Sequence, residues 1–345
     1  LALGFSHEFL NRKDGWPALQ ALYQLPQRPT GIEHNLAYRA LNSGALAATD
    51  AYSTDGELER YQLQLLEDDR GLFPVYDAGL LLRRDLDPAA LDVLRQLEGR
   101  IDERRMQALN SAVAVDGESP FDVAGRFLRE AGLVDEVRES ESRPARILRH
   151  SGDHLRLTLV ALVLASLVAI PLSVLVSRFA RLASSLQYAA GLIQTVPALA
   201  LLALLIPLLG LGQATAILAL FLYSLLPIVR NTLAGLTGVD PLLKEVARSM
   251  GMTRRQQLLR VELPLAAPMM VAGIRTAAVI SIGTATLAAF VGAGGLGEPI
   301  LTGLSLNDHR LILEGAIPAA LLALATEFAF ERLERRLLPA HLRRR

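Results

Sequence analysis

The chain has no cysteine, which excludes a disulfide framework, a thiolate metal site and a cysteine nucleophile. Its six histidines include one pair at H-x3-H spacing, His150 and His154, but no HExxH motif and no cysteine to complete a ligand set, so a zinc site is not expected. No G-x4-G-K-[ST] stretch occurs, so the chain lacks the loop that cradles phosphates in P-loop ATPases. No nucleophile–base set stands out either, and an enzyme is not expected. Net charge is absent too: 35 Lys and Arg balance 35 Asp and Glu, giving no overall pull toward nucleic acid. That balance is a cancellation. Residues 1–150 carry 18 basic and 25 acidic side chains, a net of −7, and residues 151–345 carry 17 and 10, a net of +7. Two physically different halves meet near residue 150.

What the second half does have is length without charge. Leu157–Ser177 runs 21 residues without a charged side chain, Leu182–Val229 runs 48, and Thr276–Gly297 runs 22. A helix needs about 20 apolar residues to cross a hydrocarbon layer about 30 Å thick. Five spans are expected, at 155–177, 185–209, 213–229, 265–291 and 311–330, with Gly210-Leu211-Gly212 dividing the longest run. Odd-numbered spans end among 14 basic residues, against five on the other side. The positive-inside rule then puts the N-terminal half outside and the C-terminus in the cytoplasm. Residues 141–153 read as a linker or interfacial helix with Ile147 and Leu148 turned inward, 154–337 as the membrane domain and 338–345 as a basic cytoplasmic tail. Arg275 falls inside the fourth span, where a charge costs several kcal/mol unless it snorkels, pairs or faces water. Glu314 and Glu327 are its candidate partners.

Between the third and fourth spans lies Asp240-Pro-Leu-Leu-Lys-Glu-Val-Ala-Arg-Ser-Met-Gly251, continuing to Leu263-Pro264. Asp240 suits an N-cap, Pro241 the first helical position, and Gly251 a left-handed helix end. Thr253 can cap a second short helix, Arg254–Glu262, which Pro264 would stop. A short, stiff helix–glycine–helix unit on the positive side is suited to being gripped by a partner. The pattern Glu245-x-Ala247, three residues, Gly251, nine residues, Val261-x-Leu263-Pro264 resembles the signature of bacterial ABC importer permeases, with Val246 where the family usually has Ala. The resemblance implies a coupling helix docked on a cytoplasmic ATPase, with Glu245 and Gly251 central. It also implies two permease copies, and ATP and Mg used by the ATPase pair, with no cofactor in this chain. Two similarities lead elsewhere and fail on context. Ala247–Gln256 is similar to the turn of a DNA-binding helix-turn-helix but sits between membrane spans. Gly292-Ala-Gly294-Gly295-Leu-Gly297 fits G-x-G-x-x-G but ends an apolar helix, so a flexible re-entrant turn is expected instead of a nucleotide site.

Residues 1–140 alternate strands and amphipathic helices, which suggests an α/β domain. Strands are expected at Leu1–Ser6, Leu65–Glu67 and Val75–Leu82, and helices at Trp16–Tyr23, Asn35–Ser43, Leu58–Leu63, Pro88–Leu97, Asp102–Val113 and Pro120–Ala131. Glu8-Phe-x-x-Arg12-x-Asp14-Gly15, Asp50-Ala-Tyr52-Ser-Thr54-Asp55 and Pro74-Val-Tyr76 resemble the solute receptors of glycine betaine, choline and related osmoprotectant importers. That resemblance implies tyrosines walling a quaternary ammonium and an arginine gripping a carboxylate, among Glu8, Arg12, Asp50, Tyr52, Thr54 and Tyr76. A trimethylammonium has no N–H to donate, so π-faces and partial negative charge must hold it. Arg12 can take a carboxylate bidentately, yet a Glu8–Arg12 pair four residues apart is equally an exposed ion pair. Asp50 and Asp55 equally suit turn caps, and Trp16 suits a core position. No leader pattern precedes Leu1, and about 140 residues supply one receptor lobe and the returning part of the other, so the remaining receptor sequence, with further cage residues, is expected upstream.

The fold expected is an α-helical type-1 ABC importer permease bundle preceded by a partial α/β periplasmic-binding-protein-like domain. Its expected setting is the bacterial inner membrane, its cargo a small quaternary ammonium solute, with nucleic acid no partner. An importer of an amino acid such as methionine and a membrane ligand sensor are the alternatives; only Arg335–Arg345 follows Glu334, which leaves a sensor no output domain.

Overall fold

The computed structural model describes residues 1–136, 141–306 and 308–337. The basic tail expected at 338–345 lies outside them. The chain divides into two compact units, Leu1–Glu141 with Ser305–Asp308, and Ser142–Leu304 with His309–Arg345.

In the first unit a minimal parallel sheet pairs β1 (Gly4–Phe5) with β2 (Thr30–Gly31), Gly4 opposite Thr30 and Phe5 opposite Gly31. Leu3 adds an isolated bridge to Ala48. Around it lie α1 (His7–Asn11), α2 (Trp16–Tyr23), α3 (His34–Asn42), α4 (Glu57–Arg60), α5 (Pro88–Arg95), α6 (Glu103–Ala114) and α7 (Pro120–Glu130). The helices start where the sequence supplies caps: Ser6, Asp87 and Asp102 accept from the N–H groups of Phe9, Ala89 and Arg105. Phe5, Phe9 and Trp16 form the core, with Phe5 and Trp16 ring centroids 5.1 Å apart, so Trp16 is a core residue. The expected strands at Leu65–Glu67 and Val75–Leu82 do not form. A strand needs a neighbour to take its N–H and C=O groups, and these segments lie exposed and irregular, Leu66 and Val75 each 85% accessible.

The second unit is helical: α8 (Arg143–Val176), α9 (Ala180–Thr195), α10 (Ala198–Leu209), α11 (Gln213–Thr237), α12 (Pro241–Ser249), α13 (Arg254–Gln257), α14 (Leu263–Thr284), α15 (Gly297–Ser305) and α16 (His309–Leu337). Among the described residues four helices are long and apolar enough to cross a membrane, five if the bent pair α9–α10 is one span. Their packing is inverted relative to a soluble bundle. Along α8 every fourth residue is buried and, after Leu157, small (Leu157, Ala161, Ala165, Ala169, Ser173), while Leu159, Val163, Leu167 and Leu175 face outward. Small residues let helix backbones approach where lipid already satisfies large apolar side chains. The α11–α14 crossing is one such close contact. A Cβ on Gly273 would stand 2.7 Å from Asn231 Cβ and 2.9 Å from Pro227 O, and one on Gly235 would stand 3.0 Å from Ala266 O.

Three expectations change. Residues 185–209 are not one straight helix, because α9 and α10 meet at 96°. Pro197 holds the preceding residue, Val196, in an extended conformation, and Tyr223 of α11 donates its hydroxyl to the Val196 carbonyl. Pro227 leaves the Tyr223 carbonyl without its usual helical donor, and Gln194 of α9 supplies one at 2.8 Å. Residues 141–153 are not a separate interfacial helix: from Arg143 they are the first turns of α8, and Leu148 is 74% accessible. The Gly292–Gly297 turn is not loose. Gly292, Gly294 and Gly295 take positive φ, Leu296 is fully buried, and a Cβ on Gly297 would stand 1.8 Å from Thr286 O. Buried His154 locks the turn, accepting from Leu296 N–H at 3.3 Å through Nδ1 and lying 2.9 Å from Ile282 O through Nε2.

Candidate coupling loop and candidate solute cage

In the loop after α11, Asp240 accepts from Leu242 N–H at 2.8 Å and Pro241 opens α12. The helix closes in a Schellman arrangement: Gly251 N–H donates to Arg248 O at 2.9 Å and Met252 N–H to Ala247 O at 3.1 Å, with Gly251 at φ +77°. Thr253 then starts α13 with a reciprocal capping box to Gln256. Pro264 does not stop the helix as the sequence suggests. The preceding turn, Leu258–Glu262, widens to π-helix, with Leu263 N–H reaching back to Leu258 O, and the chain continues through Pro264 into α14. Widening the turn relieves the fit between a proline ring and the carbonyl four residues back.

Of the loop residues singled out from sequence, Glu245, Gly251 and Pro264 are exposed, Ala247 is buried, and Val261 and Leu263 are half-buried. Ala247 is therefore a packing residue, and Glu245 and Gly251 are presented outward. Around them Leu242, Leu243, Val246, Met250 and Leu259 are exposed, Met250 to 71%. Sequence reasoning missed the bolts that stiffen the loop. Buried Gln257 donates to Lys244 O at 3.1 Å, joining the two arms, and Lys244 Nζ donates to Leu236 O at 3.2 Å. A glutamine on the inward side of a short helix was the available signal.

Arg275 pairs with Glu334 at 3.0 Å and Glu327 at 3.6 Å, joining α14 to α16. Glu327 is thus one expected partner, Glu334 an additional one, and Glu314 none. Glu314, its side chain 3% accessible, instead takes Arg146 at 2.7 Å and Arg143 at 3.1 Å.

In the first unit Arg12, at the end of α1, gathers several groups singled out from sequence. Its Nε lies 2.7 Å from Asp14 and its Nη1 3.3 Å from Glu8. Its Nη2 donates to the Tyr76 hydroxyl, which donates to Asp14 at 3.2 Å, and the guanidinium carbon stands 5.3 Å from the Tyr76 ring centroid. Tyr52 and Tyr76 are about half exposed, and Tyr52 is near enough to contribute to the raised Tyr76 pKa, which desolvation dominates. A cation already lies over one tyrosine face, the geometry a quaternary ammonium requires. Of the remaining candidates, the Asp50 carboxylate is occupied within the chain and Thr54 is tied by its backbone. Asp50 accepts from Ser6 N–H at 2.7 Å and from its hydroxyl at 2.6 Å, and the Thr54 carbonyl accepts from Asn110 of α6 at 2.8 Å. Sequence reasoning also missed His34 and Tyr38, which sit four residues apart on α3 and converge with Tyr52 N–H on Asp55. Among the described residues no group of three His, Asp or Glu could hold a metal ion.

Residues 1–130 match the family described as substrate binding domain of ABC-type glycine betaine transport system. Residues 161–339 match the family described as binding-protein-dependent transport system inner membrane component. The choline transport system permease protein OpuBB of Bacillus subtilis (strain 168) is 44% identical over 204 residues, 59% of this chain and 94% of that protein. The carnitine transport permease protein OpuCB of Listeria monocytogenes is 47% identical over 197 residues, 57% of this chain and 90% of that protein. Among solved structures, the inward-facing MetNI methionine ABC transporter in its CY5 native crystal form aligns with TM-score 0.53 and 24% identity. The alignment covers 58% of this chain and 100% of that one, a likeness of fold.

Proposed function

The chain belongs to the binding-protein-dependent transport system inner membrane component family and carries a fused substrate-binding domain of the glycine betaine type, and from that premise we propose that it imports quaternary ammonium osmoprotectants such as glycine betaine, choline or carnitine. The observation that carries this reading is the joining, in one chain, of a permease bearing a rigid outward-facing loop to a receptor unit bearing two exposed tyrosines beside an arginine. Tyr52 and Tyr76 wall the ammonium, and Arg12 meets the carboxylate of solutes that have one. Glu8 and Asp14 hold Arg12 until a carboxylate displaces one of them.

In this reading α12 and α13 dock on a cytoplasmic ATPase. Leu242, Val246 and Met250 enter an apolar groove, and Glu245 and the Gly251 turn fix the register. The π-turn and the Gln257 bolt transmit movement of that docked finger to α14 and the α11–α14 crossing. A second permease copy completes the pathway, the ATPase pair uses ATP and Mg, and the receptor unit lies outside the cytoplasmic membrane with the C-terminus inside. Solute and nucleotide then bias the same two-state element, so each changes the response to the other.

The test is ATP-driven uptake in proteoliposomes holding the full chain and its ATPase. Labelled glycine betaine should accumulate, and Tyr52→Ala together with Tyr76→Ala should lower uptake by more than about tenfold. Accumulation of methionine with none of glycine betaine, choline or carnitine would overturn the assignment.

A further inference from the structure

The three cage residues stand on separate segments. Arg12 follows α1, Tyr52 lies in the loop after α3, and Tyr76 lies in an irregular stretch. Side chains on such segments keep a binding geometry only if neighbours lock them. Asp55 Oδ2 accepts three hydrogen bonds, from Tyr52 N–H at 3.0 Å, from His34 Nε2 at 3.0 Å and from the Tyr38 hydroxyl. The His34 ring lies 5.6 Å from the Tyr52 ring and meets Tyr38 edge-on at 5.3 Å. Toward the sheet, His34 Nδ1 faces Asp50 at 4.0 Å. Asp50 in turn holds Ser6, whose hydroxyl caps α1 by accepting from Phe9 N–H at 3.2 Å. That helix ends at Arg12, which holds Tyr76. Tyr52, Asp55, His34, Asp50, Ser6, α1, Arg12 and Tyr76 thus form one unbroken run of contacts.

Two features make the run more than a surface network. Tyr38 is 1% accessible, so its hydroxyl has no exchange with water to fall back on. His34 and Tyr38 lie on one face of α3, a regular helix, so two fixed side chains aim at a single carboxylate oxygen. Asp55, Asp50 and Glu33 act on His34 through their charges, and Tyr38 and Tyr52 lie against its ring.

We propose that His34 and Tyr38 are positioning residues of the solute cage, fixing the Tyr52 wall through the Asp55 carboxylate, with His34 also tying that wall through Asp50 and Ser6 to the helix that ends at Arg12. The proposal rests on the cage reading given above. Neither residue is assigned a contact with the solute; both act through the backbone and ring of Tyr52.

The experiment uses the full chain in lipid nanodiscs, with two readouts. One is the dissociation constant for glycine betaine by calorimetry, and the other is hydrogen exchange at the Tyr52 amide, which needs no ligand. His34→Leu removes the donor to Asp55, His34→Gln keeps an amide donor, and Tyr38→Phe removes only a hydroxyl. Fluorescence of buried Trp16, the single tryptophan of the chain, verifies that each variant keeps the receptor core. His34→Leu and Tyr38→Phe should each weaken glycine betaine binding about tenfold and speed Tyr52 exchange about tenfold, while His34→Gln should stay within about threefold of the unaltered chain in both. Unchanged exchange in His34→Leu and Tyr38→Phe overturns the proposal, as does equal loss in His34→Gln and His34→Leu. If the unaltered chain binds no glycine betaine, the cage reading fails by itself, and exchange at Tyr52 alone decides whether the network holds the loop.

Discussion

Replacing Gly251 isolates the stiffness of the cytoplasmic finger from everything else in the molecule. Its φ is +77°, and a Cβ built there would meet no atom within 4 Å. The cost of a side chain is therefore purely one of backbone conformation. A left-handed residue with a Cβ costs about 1–2 kcal/mol, and a β-branched one sits at the upper end. If the turn opens instead, the bonds Gly251 N–H to Arg248 O and Met252 N–H to Ala247 O are lost, at about 0.5–1.5 kcal/mol each. Either route removes about 1–3 kcal/mol from the docked geometry, a factor of about 5 to 150 in the population able to couple. Gly251→Val should lower ATP-driven glycine betaine uptake in proteoliposomes by that factor. Gly251→Asn, which tolerates left-handed φ, should lose only about two- to threefold. Insertion into the membrane should be unchanged, because the position is exposed and the tight α11–α14 contacts at Gly235 and Gly273 are untouched. Wild-type uptake by the Val variant, or an Asn variant as poor as the Val variant, refutes the argument.

Three further outcomes are expected. Gly297→Ala should prevent stable folding of the membrane unit, since its Cβ would meet Thr286 backbone at 1.8 Å, while Gly283→Ala, with nothing within 4 Å, should leave the melting temperature unchanged in detergent. Arg146→Ala leaves the buried Glu314 carboxylate, among the described residues, with the more exposed Arg143 alone and should destabilise by about 3 kcal/mol, a loss that Glu314→Gln in the same chain should largely restore. Stability of the receptor unit, followed by Trp16 fluorescence on heating, should be highest between two limits. The hydrogen bond to Asp55 raises the His34 pKa, so the contribution of that pair is complete below about 6.5 and is lost as pH rises through the raised value. Burial raises the Asp55 pKa, but hydrogen bonds from His34, Tyr38 and Tyr52 N–H outweigh it and hold the group below its ordinary value. Stability on the acid side is therefore present above about 4 and lost as pH falls through that lowered value. A His34→Gln variant should lose the alkaline limb alone, and an unchanged alkaline limb would remove His34 as its cause.

The sequence alone determined the elements whose cause is local. Charge-free runs longer than a bilayer is thick marked the membrane unit, because any buried charge there is costly. Asp240, Pro241, Gly251 and Thr253 fixed the coupling loop, since caps and left-handed turns depend only on adjacent backbone. Tertiary structure decided what depends on a distant partner. The strands expected at Leu65–Glu67 and Val75–Leu82 have apolar residues but no neighbouring edge to take their hydrogen bonds. The 96° break between α9 and α10 is held by Tyr223 and Gln194 from another helix. Glu314 and Glu334 took their arginines according to which helices touch, and His34 and Asp50 meet only because the fold brings α3 beside the loop before Tyr52. Local backbone chemistry is written residue by residue along a chain, whereas the pairing of a buried charge or an open strand edge is settled only by what packs against it.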